Sequence, residues 1–319
     1  MYLAHFQLQD EPFRLTPDPR YLHFSEPHHA VLKTFLEGIL YHRGLILISG
    51  PIGTGKTMLV HTALQILTEL SRPERPMRTA LLFNPTLTRE EFFEAVLGEF
   101  EISSASSSKP SRLAALHQML LNTQQRGGRA ALIIDEAHLL SSELLEEVRL
   151  LGNADTHQEK LLQIVLCGQP ELITMLNRPE LSALQQRVAC RAQLRPLSEA
   201  ETRAYISERL HTAGLTGPSP FPNHTVDALH RFSQGVPRLI NLMCENCLVF
   251  GFETDRKIVQ PDMVEEVAAS LNLAPPVTSS ERAAPRVDAG RLPRASQPST
   301  VDLLIEAMKQ GRTAVREQN

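Results

Sequence analysis

No apolar run in the 319-residue chain approaches the length needed to cross a bilayer. The N-terminus also lacks a cationic segment followed by an apolar one, since Met1 to Pro19 carries acids and prolines. Both absences lead to the expectation of a cytoplasmic protein with no membrane span. Charge of one sign is lacking too: the formal net charge is −4. No global basic field therefore favours nucleic acid or an anionic membrane surface, and only a local basic patch could. Cysteine is scarce, four in all, which suits a reducing compartment. A zinc site at Cys244-Glu-Asn-Cys247 would need two more ligands at suitable spacing, and the sequence offers none. Ile240, Met243 and Leu248 make the same helical face apolar, so both thiols are expected in a core. Tryptophan is absent and aromatics are few, while apolar and charged fractions are ordinary for a globular chain of one large or two smaller domains.

The most informative stretch is Gly50-Pro51-Ile52-Gly53-Thr54-Gly55-Lys56-Thr57. It fits the pattern G-x-x-x-x-G-K-[ST], between a buried-type strand (Leu45 to Ile48) and a stretch with helical apolar spacing (Met58 to Leu70). Strand, glycine-rich turn and helix aim successive backbone N–H groups at a phosphate. The reading is a nucleoside triphosphate site, with Lys56 reaching the β- and γ-phosphates and the Thr57 hydroxyl ligating Mg²⁺. Downstream, Ala130 to Ile134 reads as a strand ending in Asp135-Glu136. Asp135 is expected to hold Mg²⁺, and Glu136 to orient and activate the attacking water.

Further strands are expected at Thr79–Phe83, Leu161–Cys167 and Val188–Leu194, alternating with helices, which indicates a parallel five-stranded sheet covered on both faces. Its ligand site belongs at the carboxyl ends of the strands. Residues 1–44 form an approach segment in which prolines forbid helix before Tyr21, followed by a helix from about Pro27 to Leu40. Phe13 and Tyr21 there either wall the base or pack on a core. Thr88-Arg-Glu-Glu91 and Ser198-Glu-Ala-Glu201 are capping boxes. Ser103 to Ser111 reads as a surface loop before a helix from Leu113 to about Gln125. Gln169 closes the fourth strand, where a polar side chain can sense a γ-phosphate or simply face solvent. Beyond Pro196 the pattern is helical to Leu273, broken at Gly214–Pro222 and Gly235-Val-Pro237. Pro237 suits a first helical turn and puts Arg238 at a helix N-terminus, where a cation suits an external anion better than the helix dipole. The expected domains are 1–195 (nucleotide-binding α/β), 196–273 (small all-helical lid) and 274–319. The last is a Pro/Ala/Arg/Ser linker ending in a short helix capped at Ser299, striped by Val301, Leu304, Ile305 and Met308. Residues 299–312 are the expected contact for a partner groove or neighbouring subunit.

Taken as an ordered set, these pieces resemble the AAA+ ATPases. They are most similar to the ExeA-like, or general-secretion-pathway A, secretion ATPases found with type II secretion, mannose-sensitive pilus and exosortase loci. The likeness rests on Pro12-Phe13-Arg-Leu-Thr-Pro-Asp-Pro19, Gly50 to Thr57, Asp135-Glu136-Ala137-His138, Leu144 to Leu151, Gly168-Gln-Pro-Glu-Leu172 and Gly235-Val-Pro-Arg-Leu-Ile-Asn241, and it spans Met1 to Leu271. The resemblance implies ATP and Mg²⁺ as cofactors, nucleotide between sheet domain and lid, and a homo-oligomer. It places Gln169 at the sensor 1 position, Arg238 at sensor 2, and Arg187 as an arginine finger for a neighbour, ahead of Arg191 and Arg195. Two departures matter. Members at type II secretion loci commonly continue into a membrane span and a peptidoglycan-binding domain, which residues 274–319 do not hold, so the shorter exosortase-locus type is the nearer likeness. His138 stands where the family often has Gln; a helicase would need a second RecA-like domain that does not fit here.

The implied function is an ATP-hydrolysing oligomeric switch or assembly motor serving a bacterial secretion or envelope system through a protein partner. Two other readings compete with it. One is a DNA-associated regulator of the transposition type, against which the near-neutral charge argues. The other is a nucleotide-gated scaffold with little turnover.

Overall fold

A computed structural model describes residues 2–16, 19–21, 23–83, 85–156, 159–273 and 299–317. In chain order the elements are α1 (Tyr2–His5), α2 (Glu26–Leu40), β1 (Leu45–Ser49), α3 (Lys56–Leu70), β2 (Met77–Leu82), α4 (Arg89–Glu99) and α5 (Lys109–Gln125). There follow β3 (Arg129–Ile134), α6 (Ser142–Leu151), β4 (Leu162–Gly168), α7 (Glu171–Leu176), α8 (Ser182–Gln185) and β5 (Val188–Gln193). The helical stretch holds α9 (Glu199–Thr212), α10 (Asn223–Ser233), α11 (Pro237–Glu253) and α12 (Pro261–Ser270), and α13 (Thr300–Glu317) stands last. Two compact units result, Glu26–Arg195 and the pair of segments Met1–Ser25 with Pro196–Asn319.

The first unit is an α/β unit around a parallel five-stranded sheet in the order β2-β3-β4-β1-β5. Strands β1, β3 and β4 lie inside the sheet, and their apolar residues follow one another without alternation because helices cover both faces. The edge strand β5, Val-Ala-Cys-Arg-Ala-Gln, alternates in burial and carries a bulge at its start, both habits of a protected edge. Register sets the site. Ser49 pairs with Gly168, and Ile134 with Leu166, so β1, β3 and β4 end side by side. The chain runs outward from β1 to β2, returns through β3 and β4, then passes β1 to reach β5, which puts the reversal of strand order beside β1. Under the sheet Glu147 of α6, 1% exposed, is gripped by Lys109 at 2.7 Å and by Arg89, which joins α4, α5 and α6.

The helical unit packs α9 to α12 around Tyr205, Ile206, Leu229, Met243, Leu248 and Val264. Cys244 and Cys247 are fully buried among them. Gly235 turns the chain between α10 and α11 at φ +70, and a Cβ there would sit 1.9 Å from the Leu197 carbonyl oxygen. Met1–Ser25 belongs to this unit, which corrects the expectation of a sheet domain beginning at residue 1. The cause is apolar: Phe6, Leu8, Phe13 and Tyr21 join the helical core, with Phe13 edge-on to Phe221 at 5.9 Å. Buried Arg209 then ties the segment down, donating to the carbonyls of Pro12 at 2.5 Å and Tyr21 at 3.3 Å, with its guanidinium 4.8 Å from the Tyr21 ring centroid. The segment also contains helix, contrary to expectation. Tyr2–His5 precedes the first proline, and Pro19 occupies the first position of a one-turn 3-10 helix, where its missing N–H costs nothing.

In α13 the Ser299 cap is formed, with Asp302 N–H donating to Ser299 Oγ at 3.1 Å. Val301 and Ile305, two residues of the expected apolar stripe, are fully buried by the chain itself. Leu304 and Met308 are half-buried. The expected linker lies mostly outside the described residues. Among the described residues no helix is long and apolar enough to cross a membrane.

Candidate functional site

The turn between β1 and α3 has the backbone that a phosphate cradle requires. Gly53 and Gly55 adopt φ +78 and +99, and Gly55 begins α3 without any side-chain cap, so the first N–H groups of that helix stay directed outward. Gly50 lies so close to β5 that a Cβ would meet the Leu194 carbonyl oxygen at 2.7 Å. Its N–H donates to the Gly168 carbonyl at 3.2 Å, which fastens the turn to the end of β4. Thr54 is fully buried and donates from Oγ1 to the Pro51 carbonyl at 2.8 Å, whereas Ile52 at the tip is 62% exposed. The buried Lys56 ammonium donates to the carbonyls of Gly50 at 2.8 Å and Pro51 at 3.0 Å, which leaves one of its three donors for an anion.

The second half of the site comes from β3. Asp135 is 1% exposed and accepts the Thr57 hydroxyl at 2.8 Å on Oδ2 and the Glu136 N–H at 2.9 Å on Oδ1. Thr57 and Asp135, 78 residues apart in sequence, are thus hydrogen-bonded to each other. Cys167 of β4 lies beside this pair, and burial, reinforced by the Asp135 charge, pushes its thiol far above the ordinary range. It is a buried thiol, not a nucleophile. Glu136 takes the left-handed conformation at φ +49 and opens a one-turn 3-10 helix, Ala137–Leu139. Gln169 follows Gly168 at the end of β4 and reaches His138, with the two Nε2 atoms 2.9 Å apart.

These residues fit a Mg-nucleotide. A hydroxyl and a buried carboxylate, both oxygen donors, stand beside a cationic, N–H-rich turn, which is how Mg²⁺ is usually held together with phosphate oxygens. Asp135, Glu136, Lys56, Thr57, Gln169 and the glycines therefore share one end of one sheet. Arg187 does not join them. It precedes β5, whose Val188 pairs with Leu45 at the start of β1, so about 16 Å of strand separates it from the turn after Ser49. Its guanidinium donates to the Arg149 carbonyl at 3.1 Å and to Asn153. Around it, Arg43, Arg149 and Lys160 help line a cavity of about 210 Å³, but Arg149 is paired with Glu146 and Lys160 with Asp155. Arg238 stands exposed at the second position of α11 and makes no ion pair among the described residues.

One contact at the turn had no counterpart in the sequence reading. His28 of α2, 6% exposed, bonds through Nε2 to the Thr54 carbonyl at 3.0 Å, which fixes the peptide that leads into Gly55. A lone histidine at the start of an amphipathic helix gives no local signal of such a role. His138 did carry a signal, as a departure at the fourth letter of Asp-Glu-Ala-His.

A family model described as AAA domain matches residues 39–176. General secretion pathway protein A of Aeromonas hydrophila is 38% identical over 267 residues, 82% of this chain and 47% of that protein. The chain thus spans about half the length of this curated relative. Among solved structures, Drosophila ORC bound to DNA is similar with a TM-score of 0.62 at 18% identity, over 85% of this chain and 66% of that one. Cdc6p from Pyrobaculum aerophilum gives 0.60 at 16%, over 82% and 71%, and the Aeropyrum pernix ORC2 protein gives 0.59 at 14%, over 82% and 73%. At those identities the likeness is one of fold. With the phosphate turn and the acidic strand end in place, the chain belongs to the AAA+ ATPase family, in the group related to general secretion pathway protein A.

Proposed function

We propose that the protein binds Mg-ATP, hydrolyses it, and uses the cycle as an oligomeric switch or assembly motor for a bacterial secretion or envelope system. The observation that carries this reading is the 2.8 Å Thr57–Asp135 hydrogen bond beside the buried Lys56 ammonium, in a chain akin to a secretion-pathway protein.

The turn N–H groups and the free Lys56 donor bind the phosphates. Thr57 and Asp135 would hold Mg²⁺, which would supply neutralisation of phosphate charge. Glu136, at the lip of the site, accepts a proton from the attacking water as the new oxygen–phosphorus bond forms and the bond to the departing diphosphate breaks. Gln169 orients the γ-phosphoryl oxygens. Arg187 acts on a neighbour's nucleotide, a reading supported by its distance from the phosphate turn of its own sheet. Arg238, exposed at the second position of α11 and without an ion pair among the described residues, is a further cation available to an anion.

Lys56→Ala is expected to weaken ATP binding by at least tenfold, given about 1.5–3 kcal/mol for a charged hydrogen bond. Glu136→Gln is expected to keep binding while turnover falls by about 100-fold or more. Titration with a fluorescent ATP analogue and phosphate release measure the two effects. Tight binding without Lys56, or normal turnover without the Glu136 carboxylate, overturns the assignment.

A further inference from the structure

His138 has no task in the reading above, yet it stands between two residues that do. The left-handed turn at Glu136 and the single 3-10 turn after it swing both side chains to the same side. His138 Nδ1 then faces Glu136 Oε2 at 3.3 Å. Both atoms are buried, and neither has a hydrogen-bond partner. On the opposite side of the ring, Nε2 lies 2.9 Å from Gln169 Nε2.

The Gln169 amide nitrogen faces the ring, and that orientation selects one arrangement. A carboxamide nitrogen only donates, so His138 Nε2 must accept from it, which leaves the imidazole proton on Nδ1. That proton lies beside Glu136 Oε2, 3.3 Å from Nδ1, without an aligned hydrogen bond. The approach is oblique, and a small rotation of the Glu136 side chain aligns it, a tightening common when catalytic groups meet their substrate. Gln169 keeps a second N–H for a phosphoryl oxygen. With that rotation made, a chain leads from the carboxyl end of β4 through the imidazole to the Glu136 carboxylate.

We propose that His138 is a positioning residue that couples Gln169 to Glu136, holding the carboxylate in its water-activating position when Gln169 is engaged by the terminal phosphoryl group. This rests on the reading of Glu136 as the water-activating base. A merely packed histidine would leave kcat unchanged when truncated and would show no kinetic coupling to Gln169. A glutamine in its place would serve as well, since its amide N–H can donate to Glu136 while its Oε1 accepts from Gln169.

The test compares steady-state kinetics and ATP binding for His138→Ala, His138→Gln, Gln169→Ala and the double variant His138→Ala with Gln169→Ala. His138→Ala is expected to lower kcat by about tenfold or more while KM and Kd stay within about threefold. His138→Gln is expected to return kcat to within about threefold of the parent, and the double variant to be no slower than the slower single one. An unchanged kcat in His138→Ala, no rescue by His138→Gln, or losses that multiply in the double variant would each overturn the proposal. Full turnover by Glu136→Gln would instead show that the underlying assignment of the base is wrong. A second measurement needs no turnover: ¹⁵N spectra of the histidine rings in the whole protein, with His138 assigned by its loss in His138→Gln. The expected spectrum places a proton on Nδ1 and is perturbed in Gln169→Ala. A proton on Nε2 overturns the proposal whatever the kinetics show.

Discussion

Arg187 is the proposed finger, and its position bears most on assembly. Its guanidinium is anchored to the Arg149 carbonyl and Asn153, at the amino edge of β5, whereas the phosphate turn opens at the carboxyl edge of β1. Arg187→Ala is therefore expected to bind ATP normally and to lose turnover by about 10³-fold, the scale of an arginine finger. Mixing it with Lys56→Ala is expected to restore turnover, because the Lys56 variant still offers Arg187 to a neighbour that binds ATP. Phosphate release on mixing measures this, and no recovery removes Arg187 from the role. Lys56, Thr57, Asp135 and Glu136 were legible in the sequence because the chemistry fixes their spacing to a strand end and a helix start. His28 was not, since its bond to the Thr54 carbonyl spans 26 residues and leaves no periodic trace. His138 showed only as an unusual letter, and its meaning required the register that brings Gln169 beside it.

Among the elements, α6 follows the acidic strand end and is held by the buried Glu147. Its partners Arg89 and Lys109 are both partly exposed, so the burial cost falls on the carboxylate. Replacing both cations by alanine leaves that carboxylate unpaired and is expected to cost about 3–5 kcal/mol in denaturant unfolding, with either single change costing less. A double variant as stable as the parent would contradict this. In the helical unit, burial holds the His230 imidazole below its ordinary value of 6.5. The unfolded chain then binds the proton more readily, so this contribution is intact above about pH 6.5 and is lost as pH falls through the folded value. Thermal unfolding at pH 7.5 and 5.5 should show a larger acid loss for the parent than for His230→Asn, and equal losses would contradict the assignment. Both capping boxes, at Thr88 and Ser198, were legible, because their signal is local. The start of α5 was not. Ser108 caps it, five residues ahead of the expected start, with Pro110 in its first turn, but that cap is hidden in a run of serines. The short helices α7 and α8 were likewise missed, being too brief to show a period.

At the scale of the whole molecule, the five-stranded parallel sheet and the helical unit were both anticipated, and the allegiance of the N-terminal segment was not. Its prolines and aromatics say that it is ordered, but the core that takes Phe6, Phe13 and Tyr21 is built by residues beyond Pro196, including Arg209, nearly 190 residues beyond Tyr21. The most direct test of the central claim is Mg-ATP turnover per protomer as a function of protein concentration, with Glu136→Gln alongside. The account predicts a rate that climbs with concentration and then saturates, as neighbours complete one another's sites, and a Glu136→Gln trace near zero throughout. A rate independent of concentration, or binding of ATP with no turnover at any concentration, would contradict it.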